Sequence, residues 1–251
     1  TDLMQEELLE HGVELVLNEG VVGFEGEGVV KEVKTDKNSY QTDLVVIATG
    51  FKPNTSFLEG TGLKTLKNGA IVTNEKGETS IKDIYSAGDC ATVRHIVKEE
   101  DVYIPLATGA NKLGRVVGSN MAGVEAVYPG SLGSACVKVM DYEAAITGIS
   151  EEDAIQMELD YKTVFVKDKN QAGYYPNQKD IYIKLVYDAK SKIILGGQTL
   201  GKNGAALRID VIAIAIKAKM TTEDLGMMDF CYAPPISKTW DALNVAGNAA
   251  K

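Results

Sequence analysis

Residues 204–220 read GAALRIDVIAIAIKAKM. From Ile209 to Ile216 this segment is apolar on nearly every side, Asp210 excepted. A helix of that kind has no face to offer to water and has to be buried, and in a small domain a partner must help bury it. Five strand-like runs precede it, at residues 136–140, 144–149, 161–167, 181–187 and 192–200. Tyr161, Thr163, Phe165 and Lys167 alternate with Lys162, Val164 and Val166, the pattern of a half-buried antiparallel strand. Residues 188–191 suit a hairpin turn, and Ser150 with Glu151, Glu152 and Asp153 opens a helix in capping-box style. Thr221 or Thr222 caps a further helix through Glu223 and Leu225, and residues 238–249 can form the last one. The C-terminal half therefore predicts an antiparallel sheet with helices on it.

The chain has 251 residues, enough for one large domain or two small ones. The Tyr128-Pro129-Gly130 break is the best boundary signal, and mixed β/α pieces precede it. A formal net charge of −9 argues against a nucleic-acid partner or an anionic membrane surface. The longest apolar-rich stretch, residues 211–216, is too short to span a bilayer. Three widely spaced cysteines make neither a disulfide framework nor a CxxC metal pair. That favours a reducing compartment, the cytoplasm, and no metal site.

Before the boundary, Thr1 or Asp2 can cap a helix that places Met4, Leu8 and Leu9 on one face and stops at Gly12. A strand at residues 13–17 follows, then a short meander through 21–24, 29–33 and Tyr40. Leu44-Val45-Val46-Ile47-Ala48 is the pattern of a strand buried on both faces, and it ends in Thr49-Gly50. Further short strands are predicted at 69–73 and 84–87, the second ending in Gly88-Asp89. After Pro105 a helix places Leu106, Ala110, Leu113, Val117 and Met121 on one side and finishes near Gly123.

Two of these segments carry chemistry. A strand ending in Ala-Thr-Gly lets backbone come close to a ligand, because glycine has no Cβ. A strand delivering Gly88 and Asp89 to a sheet edge places a carboxylate where ligands of open α/β sheets bind. By spacing alone, a buried strand that merely ends in glycine is the better reading of the first, and a strand followed by a Gly-Asp turn is at least as good a reading of the second.

Taken in order, LVVIATGFKPNT, GAIVTNEKGETSIKDIYSAGDC and PLATGANKLGRVVGSNMAG resemble the C-terminal part of the FAD- and nicotinamide-dependent disulfide reductase family. The resemblance runs over essentially the whole chain. It implies an α/β plus α+β fold: remnants of the nucleotide- and flavin-binding α/β domains, then an antiparallel-sheet dimerisation domain with helices. Residues 1–50 would close the NAD(P)-binding domain, 51–127 would return to the FAD-binding domain, and 128–251 would dimerise. By the same resemblance, Asp89 bonds the flavin ribityl chain beside Gly88. The helix opening at Leu106, Ala107 and Thr108 points its positive end at the flavin, and Thr49 and Gly50 lie close to cofactor. Ser86 stands where the family usually has alanine. The two GxGxxG loops and the redox cysteine of the family have no match, so roughly 200 residues are expected before Thr1. On that expectation, the 251-residue stretch by itself binds FAD weakly and can be an inactive dimerisation module.

The segments GYYP at 173–176 and FCYAPP at 230–235 resemble the coenzyme A-disulfide reductase branch. There two tyrosines of the dimerisation domain reach the other subunit's active site. Tyr232 matches one, and Tyr174 or Tyr175 the other. Water-forming NADH oxidases tend to carry phenylalanine at the position of Tyr232. The resemblance thus implies a homodimeric flavoprotein that passes electrons from NADH or NADPH through FAD to coenzyme A disulfide. Oxygen is the alternative acceptor. Cys90, Cys136 and Cys231 are read as small buried hydrophobes rather than redox centres. His11 suits a helix C-terminus, and His95 a polar loop.

Overall fold

The computed structural model describes residues 2–251, so the capping role considered for Thr1 lies outside the described residues. The chain divides into two compact units, Thr1–Phe51 and Lys52–Lys251.

In the first unit, helix α1 (Asp2–Glu10) ends at Gly12, whose φ of +79° is the left-handed stop that glycine permits. Strands β1 (Val21–Glu25), β2 (Glu32–Thr35) and β3 (Ser39–Gln41) form the expected meander, with Val33 opposite both Phe24 and Tyr40. Two expectations fail. Residues 13–17 are not a strand. Residues 44–48 are not one either, and Val46 is 79% exposed rather than buried on both faces. A strand is defined by its ladder, and among the described residues neither run has a neighbouring strand to pair with.

The second unit begins with a loop-rich stretch. The strands expected at 69–73 and 84–87 reduce to isolated bridges, Ile71 with Thr65 and Ala91, and Tyr85 with Glu78. Each segment meets its neighbour for too short a length to build a ladder. A hairpin that the sequence did not announce follows, β4 (Val93–His95) and β5 (Glu100–Val102). Helix α2 (Ala107–Met121) packs Leu113 against Ala91, Val93 and Tyr128, while Met121 points outward.

Next come β6 (Ala135–Val139), β7 (Tyr142–Gly148), α3 (Glu151–Gln156), β8 (Tyr161–Lys169), β9 (Asp180–Asp188), β10 (Ile194–Lys202), α4 (Ala205–Lys217), α5 (Thr222–Gly226) and α6 (Ala242–Ala249). The five strands make one antiparallel sheet in the order β6-β7-β10-β9-β8. The capping box at Ser150 forms as expected; of the two candidates Thr221 and Thr222, Thr221 is the cap and makes a capping box with Asp224, and a third box, Asp241 with Asn244, opens α6.

Ile181, Ile183 and Leu185 alternate onto one face of β9 and meet Ile209, Ile212 and Ile216 of α4. Gly197 makes that approach possible, since a Cβ there would sit 2.9 Å from Ile212 Cγ2. The helix is not wholly covered, however. Leu207 is 75% exposed, Ile214 67%, and Val211 lies half-buried between them. Their spacing puts all three on one outward stripe.

His95 does not lie in a polar loop. It is buried, its Nδ1 accepts from the Val97 and Lys98 backbone N–H groups at 3.2 Å each, and the ring bonds the Gly148 backbone. Burial first, and the Lys98 ammonium second, pull its pKa below the ordinary value, against Asp153 and Glu100. A histidine held neutral in the fold protonates more readily when unfolded. Stability is therefore expected to fall as pH drops below about 6.5, by at most about 1.4 kcal/mol per pH unit for this one proton. Thermal unfolding between neutral and mildly acid pH should show a shallower slope in His95→Gln than in the parent. Equal slopes would contradict this role.

Candidate active site

Two loops of the second unit converge. The first, residues 170–179, joins β8 to β9 and is pinned along its length. Asn170 Oδ1 accepts from Lys179 N–H at 2.8 Å, Gln171 Nε2 donates to the Pro176 carbonyl at 2.7 Å, and Gln178 Nε2 donates to the Gly173 carbonyl at 2.6 Å. These bonds hold the loop backbone while its tip, Tyr174, stays exposed. The second loop joins α5 to α6. Asn244 Nδ2 reaches the carbonyls of Leu225, Gly226 and Met228, and Ser237 Oγ donates to the Cys231 carbonyl at 2.7 Å.

Arg208 of α4 ties the loops together at their roots. Its guanidinium bonds Asp241 through Nε and Nη2, the latter at 2.6 Å from Oδ2, and Nη2 also donates to the Asn170 carbonyl at 3.1 Å. Ala172 N–H completes the link by donating to the Pro234 carbonyl. The outcome is a direct hydrogen bond between the hydroxyls of Tyr174 and Tyr232, 2.6 Å apart. Tyr175, the alternative at the sequence level, is not the partner; its N–H closes a turn onto the Ala172 carbonyl.

The bond to Tyr174 and, secondarily, desolvation raise the Tyr232 pKa above that of an ordinary phenol. Tyr232 therefore stays protonated at neutral pH. Within the pair, one hydroxyl proton lies in the shared bond and the other is free to point outward. With Tyr232 44% exposed, the pair can present an O–H donor to a small molecule.

The Gly88-Asp89 turn and α2 rest on one packed cluster that includes Ala87, Ala91 and Leu113. Gly88 has φ +93° with open space where a Cβ would stand, and Asp89 is exposed. Leu106 forms the N-cap of α2 without a side-chain cap bond, and Ala107 and Thr108 are exposed, so the N–H groups of these two residues are left uncapped. The Tyr103 hydroxyl is buried without a partner among the described residues, and the charges of Asp89 and Cys90 are among the causes that raise its pKa, after burial. An orphaned hydroxyl, an approachable glycine, a free carboxylate and a bare helix N-terminus together fit a polar, anionic cofactor such as FAD. Thr49 and Gly50 are exposed in the first unit, Gly50 at φ +90°.

The cysteines do not all match the expectation of burial. Cys90 is half-buried with its thiol toward the Ala87 carbonyl, whereas Cys136 and Cys231 are exposed. His11 bonds the Glu7 carbonyl in the last turn of α1 through Nδ1, as a helix-end residue should. Among the described residues no group of three or more His, Cys, Asp or Glu could hold a metal, and no helix is long and apolar enough to cross a membrane. Sequence reasoning missed Arg208, Asp241, Asn170 and Tyr103. The one available signal was Arg208, the sole cation in the first two turns of a helix that is apolar apart from Asp210 and Lys217.

Short α/β pieces followed by a five-stranded antiparallel sheet with helices on it define a chain of mixed α/β and α+β class. Residues 1–114 match the pyridine nucleotide-disulphide oxidoreductase family and residues 134–243 its dimerisation domain; the chain belongs to that family of enzymes. A protein of Pyrococcus furiosus named NAD(P)H sulfur oxidoreductase (CoA-dependent) is 41% identical over all of this chain and 56% of its own length. An NADH oxidase of Enterococcus faecalis is 33% identical over all of this chain and 56% of its own. The structure of reduced Bacillus anthracis CoADR-RHD superposes with a TM-score of 0.90 at 39% identity, over 99% of this chain and 44% of that one. The chain thus spans about half the length of the relatives it matches.

Proposed function

We propose that the whole protein passes electrons from NADH or NADPH through FAD to a disulfide or persulfide of coenzyme A type, and that this chain supplies the group that handles the departing sulfur. The observation that carries this reading is the 2.6 Å bond between the Tyr174 and Tyr232 hydroxyls. Breaking a disulfide releases a thiolate, whose thiol titrates near ~8.5, whereas a phenol titrates near ~10. Full proton transfer from Tyr232 is therefore uphill. Its natural role is to donate a hydrogen bond to the thiolate while Tyr174 holds the ring in place. A phenylalanine at this position would lack the donor.

FAD, when bound, supplies the two-electron relay between nicotinamide and sulfur. Asp89 would accept hydrogen bonds from its ribityl hydroxyls, with Gly88 giving room for approach. The helix start at Leu106 would aim the N–H groups of Ala107 and Thr108 at the ring, where they would stabilise negative charge. Thr49 and Gly50 are assigned a cofactor-binding role on the family resemblance alone. In this reading residues 1–50 belong to the NAD(P)-binding domain, 51–127 to the FAD-binding domain and 128–251 to the dimerisation domain.

The dimer is part of the proposal. The match to a dimerisation domain and the exposed stripe Leu207, Val211 and Ile214, beside the half-buried Phe230, support a two-fold contact through α4. Burying Leu207 and Ile214 would contribute roughly 1.5–3 kcal/mol each per subunit. The double variant Leu207→Glu, Ile214→Glu should therefore sediment as a folded monomer at micromolar concentration, where the parent is a dimer. A dimer that survives both changes would move the contact elsewhere.

The acceptor decides between reductase and oxidase. With oxygen excluded, whole protein given NADH or NADPH should turn over coenzyme A disulfide at least about tenfold faster than it consumes oxygen in air. Turnover with oxygen alone would return the oxidase reading.

A further inference from the structure

Away from the tyrosine pair, a cavity of about 350 Å³ opens where the end of β10, the β6–β7 turn and the loop at 170–179 come together. Lys138, Lys179 and Lys202 line it with the amides of Asn177 and Asn203. Two carboxylates also line it, and each is engaged by a group other than Lys138 or Lys179. Glu143 Oε2 accepts from the Gly204 and Ala206 N–H groups at 3.0 Å each, so it serves the first turn of α4. Asp141 is itself exposed and stands 3.9 Å from Lys202, whose ammonium also lies over the Tyr142 ring at 4.8 Å. Asp180, adjacent to Lys179 in sequence, is engaged by Lys167 and Lys169. Lys138 and Lys179 have no ion-pair partner among the described residues. In a chain of net charge −9, a concave spot with unneutralised lysines stands out from its surroundings.

The walls are fixed. Asn177 and Asn203 hold left-handed φ values of +66° and +74°, the corners that asparagine tolerates best after glycine. Asn170 bridges them, accepting from Lys179 N–H and donating to the Asn203 carbonyl at 3.3 Å. The ammonium groups of Lys138 and Lys179, with two amide donors around the same concavity, match a multi-oxygen dianion better than a single carboxylate.

We infer that this cavity is a binding site for a phosphate group. The phosphate is borne either by a nucleotide-containing substrate or by a free anion. Because Asn177 and Lys179 share a loop with Tyr174, occupancy would steady the loop that carries the tyrosine pair. The assignment stands on charge and geometry, and it holds whether or not the redox reading does.

The test is calorimetric titration of the chain at low ionic strength with two probes, adenosine 3′,5′-bisphosphate and inorganic phosphate. At least one should bind saturably, more weakly as salt is raised, and about tenfold more weakly to the double variant Lys138→Ala, Lys179→Ala. Both side chains are exposed, so the variant is expected to remain folded, which circular dichroism checks. Much tighter binding of the bisphosphate points to a substrate-borne phosphate, and equal binding to a free anion. Failure of both probes to saturate at millimolar concentration, or equal affinity in parent and variant, would overturn the assignment.

Discussion

Replacing Arg208 by methionine is expected to lower stability by about 3–5 kcal/mol, the cost of leaving a buried charge without its partner. Arg208 and Asp241 are both well inside the fold, with side chains 13% and 8% exposed. Methionine keeps the apolar stem of the arginine and removes only the guanidinium. What remains is a carboxylate that has lost its bidentate partner, while the Asn170 carbonyl loses a donor as well. For a domain of this size the change corresponds to a fall in melting temperature on the order of 10 °C. The damage should also be directional. Arg208 joins the loop of Tyr174 to the loop of Tyr232, so hydrogen exchange should accelerate at residues 170–179 and 227–241 before it does in β9. Adding Asp241→Asn should recover part of the loss, because asparagine can still cap α6 but carries no charge to bury. A single variant within about 1 kcal/mol of the parent would mean that water solvates Asp241 and that the tie is dispensable.

Legibility from sequence follows how local each signal is. The five strands of the large sheet and the capping box at Ser150 were readable because alternation and cap spacing are contained within a few residues. Residues 44–48 carry an equally clear apolar pattern, yet they form no strand here, because pairing depends on a neighbour that the segment does not encode. Exposure of Leu207 and Ile214 was implicit in a helix too apolar for one sheet, but which face stays outside depends on the approach of Ile212 to Gly197. Burial of His95 was not legible, since its environment comes from Gly148 and Asp153, more than fifty residues on. The choice between Tyr174 and Tyr175 was likewise closed to sequence reasoning. Adjacent residues of an irregular loop have no periodicity to separate them, and the hydrogen bonds of Gln171 and Gln178 set the direction of the tip.

Tyr232→Phe is expected to produce the largest change in activity. The variant keeps the ring and its packing and removes the donor together with the bond to Tyr174. A hydrogen bond to a charged group contributes about 1.5–3 kcal/mol, so sulfur release should slow by roughly ten- to a hundredfold. Tyr174→Phe should have a smaller effect in the same step, since Tyr232 retains its own proton. Neither tyrosine is assigned a part in hydride transfer from the nicotinamide.

The most direct test separates the two half-reactions of the whole protein by stopped-flow absorbance at the flavin band. The account predicts that NADH or NADPH reduces the Tyr232→Phe flavin at the parent rate, while reoxidation of the pre-reduced variant by coenzyme A disulfide is at least about tenfold slower. Reoxidation at the parent rate would contradict the account and leave Tyr232 as a packing residue with a bonded hydroxyl.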